Sequence, residues 1–496
     1  MDQMLNLHFE LNLLYILPIL GALLMYLRGG LNPRSGARLS SLMIWGSFLW
    51  VAGLGLWGAL SGIKLVMALL IGLISGIIHV FSIRYMAGER LYQSYFIQLA
   101  LLTSCIFLLV TTDHLFVLAA AWTVSNMFLV SLILYKSEWR AARSAAAIAA
   151  VSLLAGSLAL SIAVGILVAH FKTFSLSAII FGYQSIDQNT LFFSLSLITL
   201  AALIQSAQWP FHQWLIGSLN SPTPVSAFMH AGLINGGGFL IAIFAPLYLL
   251  HDSWLLGLFL VGAVSAILGT YWQLVQPSVK RMLACSTMAQ MGFMIMQCGL
   301  GFFSAAVAHL CWHGLFKGYL FLSAGSAIAS HKKMDAVKPV NGFAFLVTCL
   351  VGLLGAWAFA EASQKSLSKI DTSFILIGIA FIASGQAALV ILRKTLSLSS
   401  VALATIVSIA VGFIYGESIL AIKKINFPYV IDVPQELTMI HIIVFLIFLG
   451  GWAIKAMDLS SSVLPRAWSN WLYVAALNSS QPQQQTLTVK RTQYTN

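Results

Sequence analysis

Residues 305–329 read AAVAHLCWHGLFKGYLFLSAGSAIA. Three basic side chains, His309, His313 and Lys317, interrupt an apolar run of helix-spanning length. Their spacing of four and four keeps them along one face of a helix, with about 40° of drift per step. No carboxylate in the stretch neutralises them. A charged side chain at mid-bilayer costs on the order of 3 kcal/mol or more, so such groups face a protein interior or a water-filled path. A row of titratable groups in a low-dielectric medium is what a proton relay requires.

The rest of the chain is of the same kind. Of 496 residues 59% are hydrophobic and 8% charged, and the mean hydropathy is +0.91. So few polar residues cannot cover a water-exposed globule. Apolar stretches of about 20 residues recur from Leu11 to Met457. The expected fold is an all-α polytopic membrane protein of about 15 transmembrane helices. Their approximate positions are 11–28, 39–61, 64–83, 92–112, 114–135, 145–169, 190–208, 223–250, 253–272, 281–299, 301–330, 341–360, 373–392, 395–421 and 437–457. The first of them reads as a retained span, because no basic segment precedes it.

The net charge of +12 is a topological signal and not a nucleic-acid footprint. With these spans, the odd connections and the C-terminal tail hold 19 Lys/Arg and the even connections six. The positive-inside rule then puts the odd loops and the C-terminus in the cytoplasm and the N-terminus in the periplasm. Five cysteines stand singly in apolar runs, which reads as small buried hydrophobes and not as a disulfide or zinc framework.

A second informative region runs from Gln205 to Pro246, QSAQWPFHQWLIGSLNSPTPVSAFMHAGLINGGGFLIAIFAP. Pro210 ends or kinks a helix, and a polar segment follows it. Broken helices at membrane depth are tolerated where the freed backbone is buried or lines a cavity, which is where transporters bind ions. Pro222 and Pro224 suit the start of the next helix, which carries His230, Asn235 and the triplet Gly236-Gly237-Gly238. The triplet allows close helix approach.

These stretches resemble the proton-translocating antiporter family, which includes the large membrane subunits of respiratory complex I and of multisubunit sodium/proton antiporters. The residues that carry the resemblance are Ser206-Ala207-Gln208-Trp209-Pro210, Ser221 to Ala227, His230-Ala231, Lys280 to Thr287, and His309 to Ser323. It covers roughly residues 80–390. Within the family the chain is similar to the membrane subunits of inorganic-carbon accumulation systems, on Trp209 to Trp214, Leu233 to Gly238 and Leu472 to Asn478. The resemblance implies two inverted five-helix repeats with discontinuous helices: spans 1–3 in 1–92, the repeats in 93–250 and 251–394, spans 14–15 in 395–457, and an amphipathic segment with a polar tail in 458–496. The tail is expected to be a disordered end or a docking strand for a partner.

The resemblance also implies the activity. A bacterial inner-membrane subunit would pass H⁺ or Na⁺ inward and drive a cytoplasmic zinc-dependent, carbonic-anhydrase-like partner that hydrates CO2 to bicarbonate. Zinc and catalysis would belong to the partner, so this chain is expected to be neither an enzyme nor a cofactor carrier. A respiratory proton-pumping subunit and a non-conducting scaffold are the alternatives.

The expected path is Lys317, His313, His309 and His230. Against it stands a packing role, in which Lys317 binds a backbone carbonyl and the histidines fill helix contacts. His212, Gln205, Thr123 and Glu417 are secondary candidates. The family carries a Glu after the Trp at Trp122 and a Lys before the Ser-Ala-Gln motif. Here these positions are Thr123 and Gln205, which cannot titrate. The Pro-rich turn of the second broken helix is absent, and Lys365 lies too near the outer end to be its lysine. His79 reads as structural. No metal ligand set is expected.

Overall fold

The computed structural model describes residues 2–325, 341–365, 370–425, 432–459 and 465–487, with side chains from residue 12 onward. Among them there is no β-strand, only three isolated bridges. The helices are α1 (Asp2–Gly29), α2 (Pro33–Leu56), α3 (Gly62–Tyr85), α4 (Tyr92–Thr111), α5 (Leu115–Ile133), α6 (Arg140–Phe171) and α7 (Leu176–Phe181). There follow α8 (Gln188–Gln205), α9 (Gln213–Gly217), α10 (Thr223–Ala231), α11 (Gly236–Ile243), α12 (Ala245–Tyr248), α13 (Asp252–Val275) and α14 (Val279–Gly299). The last are α15 (Phe303–Ser323), α16 (Gly342–Ala362), α17 (Ser373–Leu392), α18 (Leu398–Lys424), α19 (Met439–Ala456) and α20 (Arg466–Ser479).

Among the described residues thirteen helical segments are long and apolar enough to cross a bilayer. α14 and α15 are not among them, although each has 21 residues; at 1.5 Å per residue that is about 31 Å, the thickness of a hydrocarbon core. In α15 the residues that lower the hydropathy include His309, His313 and Lys317. The sequence reading counts α14 and α15 among its fifteen expected spans; thirteen segments qualify by length and hydropathy among the described residues. Boundaries follow local chemistry. Asn32 caps α2 by accepting from the Ser35 N–H at 3.1 Å, with Pro33 in the first turn. The second span therefore starts before Arg34, earlier than hydropathy alone suggests. Asp187, Asn341 and Ser397 cap α8, α16 and α18 in the same way.

The segment from Gln205 to Ile243 is interrupted twice. α8 stops at Gln205, Ala207 takes a left-handed φ of 49°, and the Trp209–Pro210 peptide is cis. The chain then makes α9, a single 3-10 turn and Pro222 before α10 begins. A second 3-10 turn, Leu233–Asn235, separates α10 from α11. Within the span Thr223–Ile243, 94% of the apolar window is buried in protein, the largest share of any span. It is the central element, and helices pack around it. The glycine triplet makes this possible: a Cβ at Gly237 would strike Ser206 and the Ala202 carbonyl of α8, and one at Gly238 would strike Met294 of α14. By contrast α16, where the sequence lacks the Pro-rich turn, is a continuous helix.

The C-terminal segment returns to the bundle. Asn220 Nδ2 donates to the Thr486 carbonyl at 2.7 Å, Arg281 Nη1 to Gln481 Oε1 at 2.9 Å, and Gln276 Nε2 to Ser480 Oγ at 2.5 Å. The described part of the Gln-rich tail thus packs on its own chain, under α9 and the start of α14. Residues 488–496 of that tail, and Val463 and Leu464 of the amphipathic segment, lie outside the described residues.

Candidate functional site

α15 turns one face outward and one inward. Trp312, Phe316 and Tyr319 are exposed, whereas His313 is buried and Lys317 is only 1% exposed. The His309 and His313 rings lie nearly parallel, 15° apart with centroids 6.3 Å apart, and His309 meets Phe293 of α14 edge-on. The basic stripe therefore faces the protein interior, as the charge cost requires.

Facing it is the broken span. His230 of α10 is fully buried, and its ring stacks on Phe321 of α15 at 4.3 Å. Its Nδ1 lies 3.0 Å from Thr287 Oγ1 of α14, and that hydroxyl donates to the Leu283 carbonyl at 3.0 Å. The same carbonyl accepts from Lys317 Nζ at 3.3 Å. One level along α15, His313 Nδ1 lies 3.2 Å from Asn235 Oδ1, at the second helix interruption. Three helices and one 3-10 turn thus bring His230, Lys317, His313 and His309 together. His313 is within electrostatic reach of the other three.

Lys317 does bind a backbone carbonyl, as the packing reading of the sequence anticipated. One carbonyl satisfies one of the three ammonium donors, and no ion pair of Lys317 is found among the described residues. Among the same residues, Nε2 of His230, His309 and His313 has no hydrogen-bond partner although buried. Buried polar atoms are ordinarily satisfied, and exceptions call for an explanation such as a proton-handling role.

The secondary candidates are placed elsewhere. Gln205 Nε2 donates to the Leu233 carbonyl at 3.2 Å. With Trp122, Ser125, Gly232 and Gly236 it lines a cavity of about 20 Å³, room for about one water. Thr123 Oγ1 turns to the Ala119 carbonyl of its own helix at 2.8 Å. His212 packs against Trp272, with ring centroids 4.8 Å apart. Glu417 sits on the exposed side of α18 and does not join the cluster. His79 is fully buried, with Nδ1 2.8 Å from the Ser75 carbonyl of its own helix, and its Nε2 is likewise without a partner among the described residues.

Asn235 and Thr287 are the contributors sequence reasoning left without a role. A lone Asn before three glycines in an apolar span was the available signal. Lys365 is another. Past the end of α16, its Nζ stands 3.6 Å over the Phe302 ring, beside the loop that delivers Asp432 to the Ser304 N–H at 2.9 Å. Burial pushes its pKa down to about 8, with Lys423 adding to the shift while Asp432 and Asp371 oppose it. Between pH 8 and 10.5 the unfolded chain then binds a proton that the folded chain lacks, so this residue makes stability rise with pH through that window. Lys365→Met is therefore expected to stabilise the protein near neutrality by on the order of 1–2 kcal/mol, after about 1 kcal/mol for the lost cation–ring contact. The gain should vanish above pH 10.5. Thermal unfolding of the two proteins at pH 7 and pH 11 checks this; an equal difference at both would refute it.

With this geometry in hand, comparisons place the chain among known proteins. Residues 112–360 match the profile described as NADH:quinone oxidoreductase/Mrp antiporter, TM. Residues 58–96 match that of NADH-Ubiquinone oxidoreductase (complex I), chain 5 N-terminus. The chain is similar to a probable inorganic carbon transporter subunit DabB1 of Halothiobacillus neapolitanus, 39% identical over 58% of this chain and 53% of that protein. It is similar also to a probable inorganic carbon transporter subunit DabB of Bacillus subtilis, 38% identical over 52% of this chain and 51% of that one. The chain thus spans about half the length of these curated relatives. In fold it is similar to a chain in the structure of the Mrp complex from Dietzia sp. DQ12-45-1b, with a TM-score of 0.64, 20% identity, and coverage of 95% of this chain and 59% of that one. The first profile match spans just over half the sequence and contains every member of the cluster, and so the chain belongs to the NADH:quinone oxidoreductase/Mrp antiporter membrane family.

Proposed function

We propose that this chain is the proton-conducting membrane subunit of an inorganic-carbon uptake complex. Protons moving inward down their gradient pass the His230, Lys317, His313 and His309 cluster. Their flow drives a DabA-like cytoplasmic zinc subunit that hydrates CO2 to bicarbonate in one direction. Moving one charge through 100 mV supplies about 2.3 kcal/mol, enough to bias a hydration step near equilibrium. Zinc and catalysis reside in the partner. The complex sits in a bacterial inner membrane, with this chain's N-terminus periplasmic and its C-terminus cytoplasmic.

The observation that carries the reading is that three buried basic groups from α10 and α15, His230, His313 and Lys317, are held by Thr287, Asn235 and the Leu283 carbonyl, with His309 stacked beyond His313. H⁺ is favoured over Na⁺ because the cluster presents nitrogens, whereas a hard cation such as Na⁺ calls for several oxygens. The two positions at which the family resemblance implies a Glu and a Lys hold Thr123 and Gln205, neither of which titrates, which supports a single titrating cluster and not a full pump.

The test is growth in air of a carbonic-anhydrase-deficient bacterium that expresses this chain with its zinc partner. Rescue is expected, and a protonophore given at a dose that spares growth on added bicarbonate should abolish it. Rescue that persists without a proton gradient sinks the proposal.

A further inference from the structure

Each of the two histidines nearest Lys317 has one nitrogen engaged and one free, and the partner of the engaged nitrogen fixes which is which. At His313 the partner is Asn235. Its Nδ2 faces two carbonyls, Ala231 at 2.7 Å and Leu310 at 3.4 Å. Turning the amide over would set its oxygen against both. Oδ1 therefore faces His313, and Nδ1 must be the protonated nitrogen. At His230 the partner is Thr287. A hydroxyl in a helix donates to the carbonyl four residues back, here Leu283 at 3.0 Å, which leaves Oγ1 as acceptor for Nδ1–H. The opposite tautomer at either ring would strand a buried N–H at Nε2, the rarer kind of orphan. Gly314 admits this arrangement, since a Cβ there would stand 2.8 Å from the Ala231 carbonyl and 3.1 Å from Asn235 Nδ2.

We infer that His230 and His313 are single-port proton sites: Thr287 and Asn235 close Nδ1, so Nε2 alone takes up the proton and gives it back. This rests on the relay reading above. An imidazole relays through its ring by gaining a proton on one nitrogen and losing one from the other. Here the Nδ1 proton has no basic acceptor. Asn235 Oδ1 is an amide oxygen, and the Thr287 hydroxyl ends at a carbonyl. When Nε2 gains a proton, an N–H bond of the Lys317 ammonium or an O–H bond of a hydronium breaks, and the ring becomes imidazolium. Release breaks the same Nε2–H bond. The ring stores charge without passing it across, so net transfer requires the Lys317 side chain to turn between uptake and release. Asn235 and Thr287 are positioning residues for that step.

The test reads nitrogens directly. In the assembled complex, labelled with ¹⁵N-histidine and reconstituted in lipid, the neutral forms of both rings are expected to show protonated Nδ1 and bare Nε2. His313→Gln and His230→Gln assign the signals by subtraction. Thr287→Val should lose the Nδ1–H signature at His230, and Thr287→Ser should keep it. Asn235→Asp places a carboxylate on Nδ1 of His313, which both stabilises the imidazolium and opens a second port. The rising limb of the pH profile of uptake should then move to higher pH by about one unit or more. The titratable groups that act on His313 are Lys317 and His309 on α15 and His230 on α10; on α14, Lys280 acts on His230 and Cys285 on Lys317. On the remaining neighbours, Tyr415 of α18 is bonded to Gln297, and His79 of α3 to its own helix. Protonated Nε2 in the neutral rings of the wild-type complex overturns the inference whatever the variants do. So does an unmoved pH profile in an assembled Asn235→Asp complex whose uptake still depends on Lys317. Loss of Lys317 dependence itself counts against the relay, not against the tautomers.

Discussion

Lys317→Ala is expected to abolish gradient-driven carbon uptake, by at least tenfold, while the complex assembles normally. The ammonium is 1% exposed and bridges to the Leu283 carbonyl that also receives Thr287. It is a cation on a flexible stem that acts on both His230 and His313. Removing it leaves two fixed rings that can hold a proton but not exchange it. Assembly is spared because a buried charge with no counter-ion costs several kcal/mol to keep, which offsets the packing lost with its methylenes. Lys317→Met retains the volume and should fail equally. The measurement is uptake of labelled inorganic carbon in cells, with the complex quantified in the same membranes. Undiminished uptake in either variant would remove conduction through this stripe from consideration.

Gly269→Leu is expected to leave almost no folded protein. α13 and α14 are packed backbone to backbone through Gly262, Gly269 and Gly292. A Cβ at Gly269 would stand 2.6 Å from the Ala289 N and 2.8 Å from the Cys285 carbonyl, both main-chain atoms that cannot rotate away. Helix association in lipid relies on such close approach, because apolar area gains little against lipid tails. Separating the pair would cost about 3 kcal/mol or more and would pull Thr287 and Leu283 of α14 away from His230 and Lys317. Gly257 is the control, on the same helix but with nothing within 4 Å of its Cβ position. Gly257→Leu should give wild-type yields of monodisperse protein after extraction; equal yields for the two variants would disprove the packing argument.

Hydropathy located the spans well because each long apolar run must satisfy its own backbone in lipid, and only a helix does so locally. The errors are informative. α2 starts six residues before its hydrophobic run because Asn32 and Pro33 set the helix start, and capping is a stronger local signal than a pair of arginines. α15 is described as Phe303–Ser323, and the part of the expected span from residue 326 to 330 lies outside the described residues. The basic stripe was legible for a similar reason: a spacing of four defines a helix face before any tertiary contact exists. Glu417 illustrates the converse. An isolated carboxylate in an apolar run gives no face, and α18 turns it away from the cluster. Lys365 was set aside on its position along the chain, yet Asp432, far along the sequence, lies at the start of α15 beside it.

The sequence by itself determined the membrane class, the positions of most spans, the interruption around Pro210 and the inward need of His309, His313 and Lys317. These follow from local hydropathy, helix periodicity and the cost of bare charge in lipid. Only the tertiary structure decided which nitrogen of each histidine is open. The groups that settle it, Thr287 for His230 and Asn235 for His313, lie 57 and 78 residues away along the chain. No local pattern encodes a hydrogen bond between helices that meet only after the bundle has packed.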